Sequence, residues 1–325
     1  MLSPAELAQE AAAAGFPVAN LEKAQRLLRL LETLRGHPFL KKRIALKVGT
    51  ALNLFVFDVP RLSVDVDLNY IGSADRDTML AERPQVDQAI EAVAERLGHQ
   101  VRRVPEEHAG GKWRLSYVAA DGGSKVLELD VNFLLRVPLW PVGVVDSRPV
   151  GSISATAIPM LDAHELAAGK LAALFARKAS RDLFDARSLL REARLDRDRL
   201  RLGFVVCGGA SPRDWRRVAL EDVQADSTEV ERQLVPVLRG NLVPAQSDVP
   251  AWAAHLVAEC RDMLGALLPL EAHEREFLTR LNDRGEIVPD LLTADSAMQA
   301  KIAASPSLQW KALRVRGRSW RASTT

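Results

Sequence analysis

Hydrophobic and polar residues alternate along the segment RLSVDVDLNY, residues 61–70. Apolar residues at positions 64, 66 and 68 alternate with polar ones, and a period of two is typical of a strand with one buried face. The polar positions, which share the other face, are Ser63, Asp65, Asp67 and Asn69. The pattern therefore predicts a strand that carries two aspartates on its polar face.

A second alternating segment, KVLELDVNF, covers residues 125–133. Leu127, Leu129, Val131 and Phe133 share one face, while Glu128, Asp130 and Asn132 share the other. This segment also predicts a half-buried strand with acidic residues on its polar side. If the two strands are neighbours in one sheet, Asp130 completes a cluster of three carboxylates with Asp65 and Asp67.

Helical spacing of apolar residues is found on both sides of these strands. The positions from Leu21 to Leu31 predict an amphipathic helix ending near Gly36, and a longer helix is predicted from about Asp75 to Leu97. The other predicted elements of this half are a strand just before Gly49, a helix over 51–57, and strands over 101–105 and 113–119. This order predicts an α+β unit with a mixed sheet flanked by helices.

The pattern changes at Asp162. Residues 162–178 and 181–193 both have helical periodicity, and beyond them only LGFVVC, residues 202–207, offers a strand-like pattern. The chain is therefore predicted to form an α+β domain over residues 1–155, followed by a mainly α-helical domain over residues 156–325.

Composition narrows the class of protein. The chain has 325 residues, of which 47% are hydrophobic and 26% charged, as expected for a globular protein. Cys207 and Cys260 are far apart, which argues against a disulfide framework or a zinc site. No apolar run approaches the roughly 20 residues that span a bilayer, and the N-terminus does not resemble a signal peptide. We therefore expect a cytoplasmic protein without a membrane partner.

The charge is unevenly distributed although the net charge is only +2. Residues 309–322 contain basic residues and no acidic ones: Lys311, Arg314, Arg316, Arg318 and Arg321. Such a tail suits contact with nucleic acid, but a solvated basic terminus is the commoner explanation.

Two aspartates on one strand face require a compensating interaction. They lie about 6 Å apart and repel by about 3 kcal/mol at an effective dielectric constant of about 20. Exposure to water would offset this repulsion, and so would a divalent cation, because Mg²⁺ prefers carboxylate and phosphate oxygens. With Asp130 nearby, the cluster could hold a metal ion and activate a hydroxyl group for attack on a nucleotide phosphate.

Two further features would suit phosphate binding. Gly49 and Thr50 lie between a predicted strand and a helix, where backbone N–H groups favour anions, although a tight turn followed by a threonine N-cap is an alternative. Lys170, Arg177 and Arg181 follow the spacing of one helix face, which predicts either a phosphate-binding stripe or a solvated helix face.

Taken in order, these segments resemble a known family. The segments are KVGTAL (47–52), RLSVDVDL (61–68), LDVN (129–132), and Lys170-Leu171 followed by RDLFD (181–185). They closely resemble the AbiEii/AbiGii-type nucleotidyltransferase toxins, which belong to the DNA polymerase β-like superfamily and include the MenT toxins of mycobacteria. The resemblance covers roughly residues 20 to 195. One departure is Val48, where the family often has a second glycine.

The resemblance implies a nucleotidyltransferase-like fold for the N-terminal domain, and Mg²⁺ and an NTP in its site. Asp65, Asp67 and Asp130 would hold the metal ion, with Asp130 also acting as acid or base. Lys170 would hold phosphate oxygens and would also be a catalytic residue. The residues that would contact or position the nucleotide are Gly49, Thr50, Arg61, Ser63, Lys170, Arg177, Arg181, Asp182 and Asp185.

The resemblance also implies a biological role. Such a toxin would transfer a nucleoside monophosphate to RNA, at the 3′ end of tRNA, and inhibit translation and growth. Its partner would be a cognate antitoxin, for which the AbiEi type is one candidate. Two alternatives stay open: transfer to a protein or small molecule, and a catalytically silent protein that binds RNA or a partner.

Overall fold

The computed structural model describes residues 2–104 and 110–322, with the backbone alone for residues 318–322. The chain forms two compact units. The first comprises Met1–Arg136, Val142–Leu161 and Glu231–Asp248. The second comprises Val137–Pro141, Asp162–Val230 and Val249–Thr325. Whether either unit is an independently folding domain, with a boundary near residue 155, stays a prediction.

The first unit is built on a seven-stranded mixed sheet. Its strands are β1 (Ile44–Leu46), β2 (Asp65–Tyr70), β3 (Gln100–Val104), β4 (Gly110–Val118), β5 (Ser124–Asn132), β6 (Gly143–Val145) and β7 (Ile158–Met160). Their spatial order is β3-β4-β5-β2-β1-β7-β6. The central pair β2 and β5 is parallel, whereas β4 pairs with β5 in the antiparallel sense. The two alternating segments of the sequence are therefore neighbours at the middle of the sheet.

Helices flank this sheet in the first unit. They are α1 (Pro4–Ala14), α2 (Val18–Gly36), α3 (Val48–Ala51) and α4 (Arg76–Arg96). The start of α1 follows from sequence, because Ser3 and Glu6 form a reciprocal capping box and Pro4 occupies the first turn. The predicted α+β class with a mixed sheet flanked by helices is confirmed.

One face of the sheet forms the core. Along β2, β4 and β5 the apolar side chains are buried at every second position, including Val66, Leu129 and the fully buried Trp113. The indole nitrogen of Trp113 donates a hydrogen bond to Glu91 of α4, 3.2 Å away. Because side chains alternate across a strand, burial of this face leaves the acidic positions on the opposite face.

The second unit is mainly helical. Its helices are α5 (Ala163–Arg177), α6 (Ser180–Glu192), α7 (Arg197–Ala210), α8 (Ser227–Glu229), α9 (Val249–Leu264), α10 (Ala272–Thr279), α11 (Ser296–Ala303) and α12 (Pro306–Ala322). The strand-like pattern at 202–207 was misleading, because this apolar run is the buried middle of α7. Cys207 and Cys260 are both free thiols.

Two short strands at one end of the sheet, β7 and the edge strand β6, were not predicted. Each has three residues, and residues 146–152 lie in the loop between them. The predicted strand at 101–105 is β3, and its last residue lies outside the described residues. Within the ranges that the structure describes, none of the helices is both long and apolar enough to cross a membrane.

Candidate active site

The acidic residues of the two alternating segments lie in adjacent rows of the central strands. Asp67 of β2 is the register partner of Asp130 of β5, and Asp65 is the partner of Glu128. Neighbouring strands lie about 4.8 Å apart. We call these four residues, Asp65, Asp67, Glu128 and Asp130, the acid face. The pairing of Asp67 with Asp130 confirms that the two acidic strands are neighbours.

Basic side chains are paired with the acid face. Lys112 of β4 is the register partner of Asp130, and its Nζ lies 3.6 Å from an Asp130 carboxylate oxygen and 2.6 Å from one of Glu128. Arg114, two residues further along β4, donates to Glu128 at 3.2 Å. Lys23 of α2 lies 3.9 Å from Asp65. Much of the negative charge is thus balanced by side chains of the same unit.

The carboxyl groups of β5 respond differently to these surroundings. Burial raises the pKa of Asp130, and the charge of Asp67 raises it further against the opposing effect of Lys112. The pKa of Glu128 is lowered, chiefly by its hydrogen bond from Lys112. The same hydrogen bond raises the pKa of Lys112. Asp130 is therefore the more readily protonated of these two acids, as suits a group that accepts a proton.

Thr50, in the short helix α3 that follows the turn after β1, is hydrogen-bonded to the segment that leads into β2. The buried Thr50 hydroxyl lies 2.7 Å from the Ser63 hydroxyl and 2.6 Å from the carbonyl oxygen of Asp65. Thr50 lies inside α3, which begins at Val48 and whose N-cap is Lys47, so threonine is not the N-cap. The side chains of Thr50 and Ser63 thus fix the start of the acidic strand. A phosphate contact from this turn would come from backbone N–H groups, which lack intrahelical partners in the first turn.

Val48 has an unusual backbone conformation. Its φ is 57°, in the left-handed region that β-branched residues rarely adopt. This is the position at which the resembled family often has glycine, the residue that adopts such a φ without steric cost.

Arg61 is buried next to the turn. It donates a hydrogen bond to the carbonyl oxygen of Leu62 at 3.1 Å and forms an isolated antiparallel bridge with Leu238. The N–H of Leu62 donates to the carbonyl oxygen of Val237 at 2.8 Å. The segment Glu231–Asp248 therefore supports the chain that leads into β2, a long-range contact that the sequence pattern did not predict.

The second unit contains a buried cluster of opposite charges. The Nζ of Lys170 in α5 lies 2.7 Å from Asp182 and 2.9 Å from Asp185, both in α6. Arg177 donates from its Nε to the other Asp182 oxygen at 2.7 Å. We call Lys170, Arg177, Asp182 and Asp185 the lysine–aspartate cluster. Burial tends to raise the pKa of Asp182, but Lys170 and Arg177 outweigh it and the net shift is downward.

The predicted stripe of three cations on one helix was wrong. Helix α5 ends at Arg177 because Lys178 adopts a left-handed conformation with φ of 52°. Arg181 belongs to the next helix, α6. Lys170 is buried between two carboxylates, whereas Arg177 is largely exposed. The cations are therefore divided between two helices and two environments.

The acid face fits a hard divalent cation by the chemistry of its donors. It offers carboxylate oxygens, which Mg²⁺ prefers. In the next row, the buried Oδ1 of Asn69 has no hydrogen-bond partner among the described residues. Within the part of the chain that the structure describes, no group of three Asp, Glu, His or Cys side chains is close enough together to coordinate a metal ion. The ammonium group of Lys112 lies against Asp130 and Glu128 instead.

Sequence reasoning missed Lys112 and Glu128 as parts of this site. Glu128 was recognised on the polar strand face but was given no role. The predicted strand began at residue 113, whereas β4 begins at Gly110, so Lys112 fell outside it. Extending the alternation one residue upstream would have placed Lys112 on the polar face with Arg114.

Comparisons with known proteins identify the family and the fold. A family model described as nucleotidyl transferase AbiEii toxin, type IV toxin–antitoxin system, matches residues 29–316. Among solved structures, the chain is similar to MenT4, a nucleotidyltransferase toxin from Mycobacterium tuberculosis H37Rv. The two are 17% identical, the match covers 95% of this chain and 99% of that one, and the TM-score is 0.62, which shows a shared fold. None of the curated proteins matches the sequence.

Proposed function

The chain belongs to the AbiEii family of nucleotidyltransferase toxins of type IV toxin–antitoxin systems, and from this premise we propose its reaction. The hydroxyl group at the 3′ end of a tRNA attacks the α-phosphate of an NTP in a Mg²⁺-dependent step, so that a nucleoside monophosphate is joined to the RNA and pyrophosphate leaves. The modified tRNA no longer supports translation, and growth stops. The reaction takes place in the cytoplasm, where NTPs and tRNA are found. A cognate antitoxin, which the family implies, restrains it; the AbiEi type is one candidate.

The observation that carries this proposal is the pairing of Asp67 with Asp130 across adjacent parallel strands, with Asp65 in the next row. These three residues would hold Mg²⁺, which when bound neutralises phosphate charge and orients the reacting groups. Because burial, and to a lesser extent the charge of Asp67, raise its pKa, Asp130 is suited to accept the proton of the attacking hydroxyl group.

The nucleotide-binding roles rest on the family pattern. Backbone N–H groups of Gly49 and Thr50 would contact the triphosphate, and Arg61 and Ser63 would fix the strand that bears the aspartates. In the second unit, the family pattern assigns Lys170, Arg177 and Arg181 to phosphate oxygens; Arg177 is largely exposed, whereas Lys170 is buried and already paired with carboxylates. Asp182 and Asp185 would orient Lys170, to which both are paired in the structure.

RNA is favoured as the acceptor by the basic character of α12. This helix contains the acid-free segment 309–322, although the side chains of Arg318 and Arg321 lie outside the described residues. Basic residues on one element provide the phosphate contacts that nucleic-acid binding requires.

The test is a transfer assay with each labelled NTP, total RNA and total cell protein. Wild-type protein should label RNA in the tRNA size range. The Asp67→Asn variant should lose about a thousandfold in rate, because metal assistance is worth several kcal/mol and about 1.4 kcal/mol corresponds to tenfold. Asp77→Asn, which alters an exposed acid at the start of α4, is the matched control and should keep full activity.

Other outcomes identify the alternatives. Label in protein or in a small molecule would show a different acceptor. Growth arrest that persists in Asp67→Asn would favour a binding protein without catalysis. Label in RNA that Asp67→Asn does not reduce would refute the assignment of the acid face as the catalytic site.

A further inference from the structure

A lysine occupies the place on the acid face where a cation is needed. The Nζ of Lys112 is 2.6 Å from Glu128 and 3.6 Å from Asp130, and Lys112 is the register partner of Asp130. Of the two basic side chains Lys112 and Arg114 on β4, Lys112 contacts Asp130, whereas Arg114 is paired with Glu128. No residue of the resembled motifs corresponds to it.

The two contacts of Lys112 differ in strength. The shorter one, to Glu128, is a charge-assisted hydrogen bond of good length, whereas 3.6 Å to Asp130 is an electrostatic contact. Lys112 can therefore give up Asp130 while remaining held by Glu128. Glu128 keeps the ammonium group beside the site, and the long flexible side chain allows it to move.

A divalent cation and this ammonium group cannot share Asp130 without cost. Like charges a few ångströms apart repel, and the repulsion is strong where water is partly excluded. Asp130 is half-buried, with 38% of its side-chain surface exposed. A metal ion that binds Asp67 and Asp130 must therefore displace Lys112 from Asp130.

We propose that Lys112 is a tethered counter-ion that neutralises Asp130 in the metal-free protein and lowers the affinity of the acid face for divalent cations. This proposal rests on the proposed function, because it takes the acid face to be the metal site. Lys112 is thus a positioning residue: it holds the acids together without metal and withdraws toward Glu128 when the metal ion arrives with the nucleotide.

The experiment measures Mn²⁺ binding to the full-length, nucleotide-free protein by the electron paramagnetic resonance signal of free Mn²⁺. Lys112→Met should bind Mn²⁺ about tenfold more tightly than wild type, a difference of about 1.4 kcal/mol. Lys112→Arg keeps the charge and should stay close to the wild-type affinity. Arg114→Met removes an equal charge that contacts only Glu128 among these acids, and should change the affinity by less than about threefold.

A second measurement separates this role from a purely structural salt bridge. The melting temperature of Lys112→Met in EDTA should fall below that of wild type, because Asp67, Glu128 and Asp130 then repel one another. Added Mn²⁺ should restore it. A structural salt bridge alone would lower the melting temperature without tightening Mn²⁺ binding, which would overturn the proposal.

The remaining outcomes are also decisive. Equal affinities of Lys112→Met and Arg114→Met would overturn the proposal, as would the absence of Mn²⁺ binding in both wild type and Lys112→Met. If instead Asp67→Asn binds Mn²⁺ as tightly as wild type, the metal lies elsewhere and the proposed function of the acid face fails.

Discussion

The acid face and the lysine–aspartate cluster both combine carboxylates with lysine, but they differ in exposure. Asp65 and Asp130 keep 37% and 38% of their side-chain surface exposed, whereas Lys170 and Asp185 keep 3% and 0%. Water screens the first set in part, so loss of a partner costs less there than in the buried set. In the second set each charge depends on its partner. An exposed set of acids can exchange its cation, whereas a buried set cannot.

Buried acids in the second unit show how much the partner matters. Asp182, beside Lys170 and Arg177, has a lowered pKa despite burial. Burial raises the pKa of Glu165 in α5 to about 7, against the opposing effect of the backbone N–H groups of Trp140 and Leu139. Close cations thus keep one carboxylate charged, whereas backbone donors do not suffice for the other.

The largest expected effect comes from breaking the lysine–aspartate cluster. Lys170→Met should lower the free energy of unfolding by about 3–5 kcal/mol, because it removes the ammonium group paired with the fully buried Asp185. Urea denaturation followed by circular dichroism measures this. The double variant Lys170→Met, Asp185→Asn should recover part of the loss.

Lys125→Met on the exposed β4–β5 hairpin is the control and should change stability by less than about 0.5 kcal/mol. If Lys170→Met changed the free energy of unfolding as little as Lys125→Met does, buried and exposed charges would not differ in their dependence on a partner.

A second effect concerns Glu165 and pH. Its pKa is about 7 in the folded protein against an ordinary 4.5, so the folded state binds the extra proton between these values. Its contribution to stability is therefore complete below pH 4.5 and is lost as the pH rises to about 7, by up to about 3 kcal/mol. Glu165→Gln has no such proton to lose.

The measurement is urea denaturation of both proteins at several pH values. The advantage of Glu165→Gln over wild type should be close to zero near pH 4.5 and should grow as the pH rises through 7. A difference between the two proteins that does not vary with pH would show that Glu165 is not the group responsible.

The smallest effect tests strain beside the acid face. Val48→Gly should raise the free energy of unfolding by about 1 kcal/mol, because glycine adopts the left-handed conformation without the cost imposed by a Cβ atom. Val48→Ala keeps the Cβ atom and should gain much less. Thermal unfolding of both variants compares them; equal gains would mean that side-chain packing, rather than φ, limits stability at this turn.

Much of the fold was predictable because its signals are local. The alternation around Asp67 and Asp130 assigned both residues to polar strand faces, and the capping box at Ser3 placed the start of α1. The helical segments 162–178 and 181–193 agree with α5 and α6 to within one residue, although the left-handed conformation of Lys178 that ends α5 has no signal in the sequence. The apolar run at 202–207, whose pattern is also strand-like, lies in the buried middle of α7, since a fully buried helix and a buried strand share that composition.

By itself, the sequence determined which residues share a strand or helix face, and its ordered motifs indicated the family. Those properties depend on neighbours a few positions apart and on backbone period. Only the tertiary structure decided that Asp67 and Asp130, 63 positions apart, become register partners, and that Lys112 lies against Asp130. Pairing of distant strands is set by packing of the whole sheet, because the energy that selects one neighbour over another comes from the shared core.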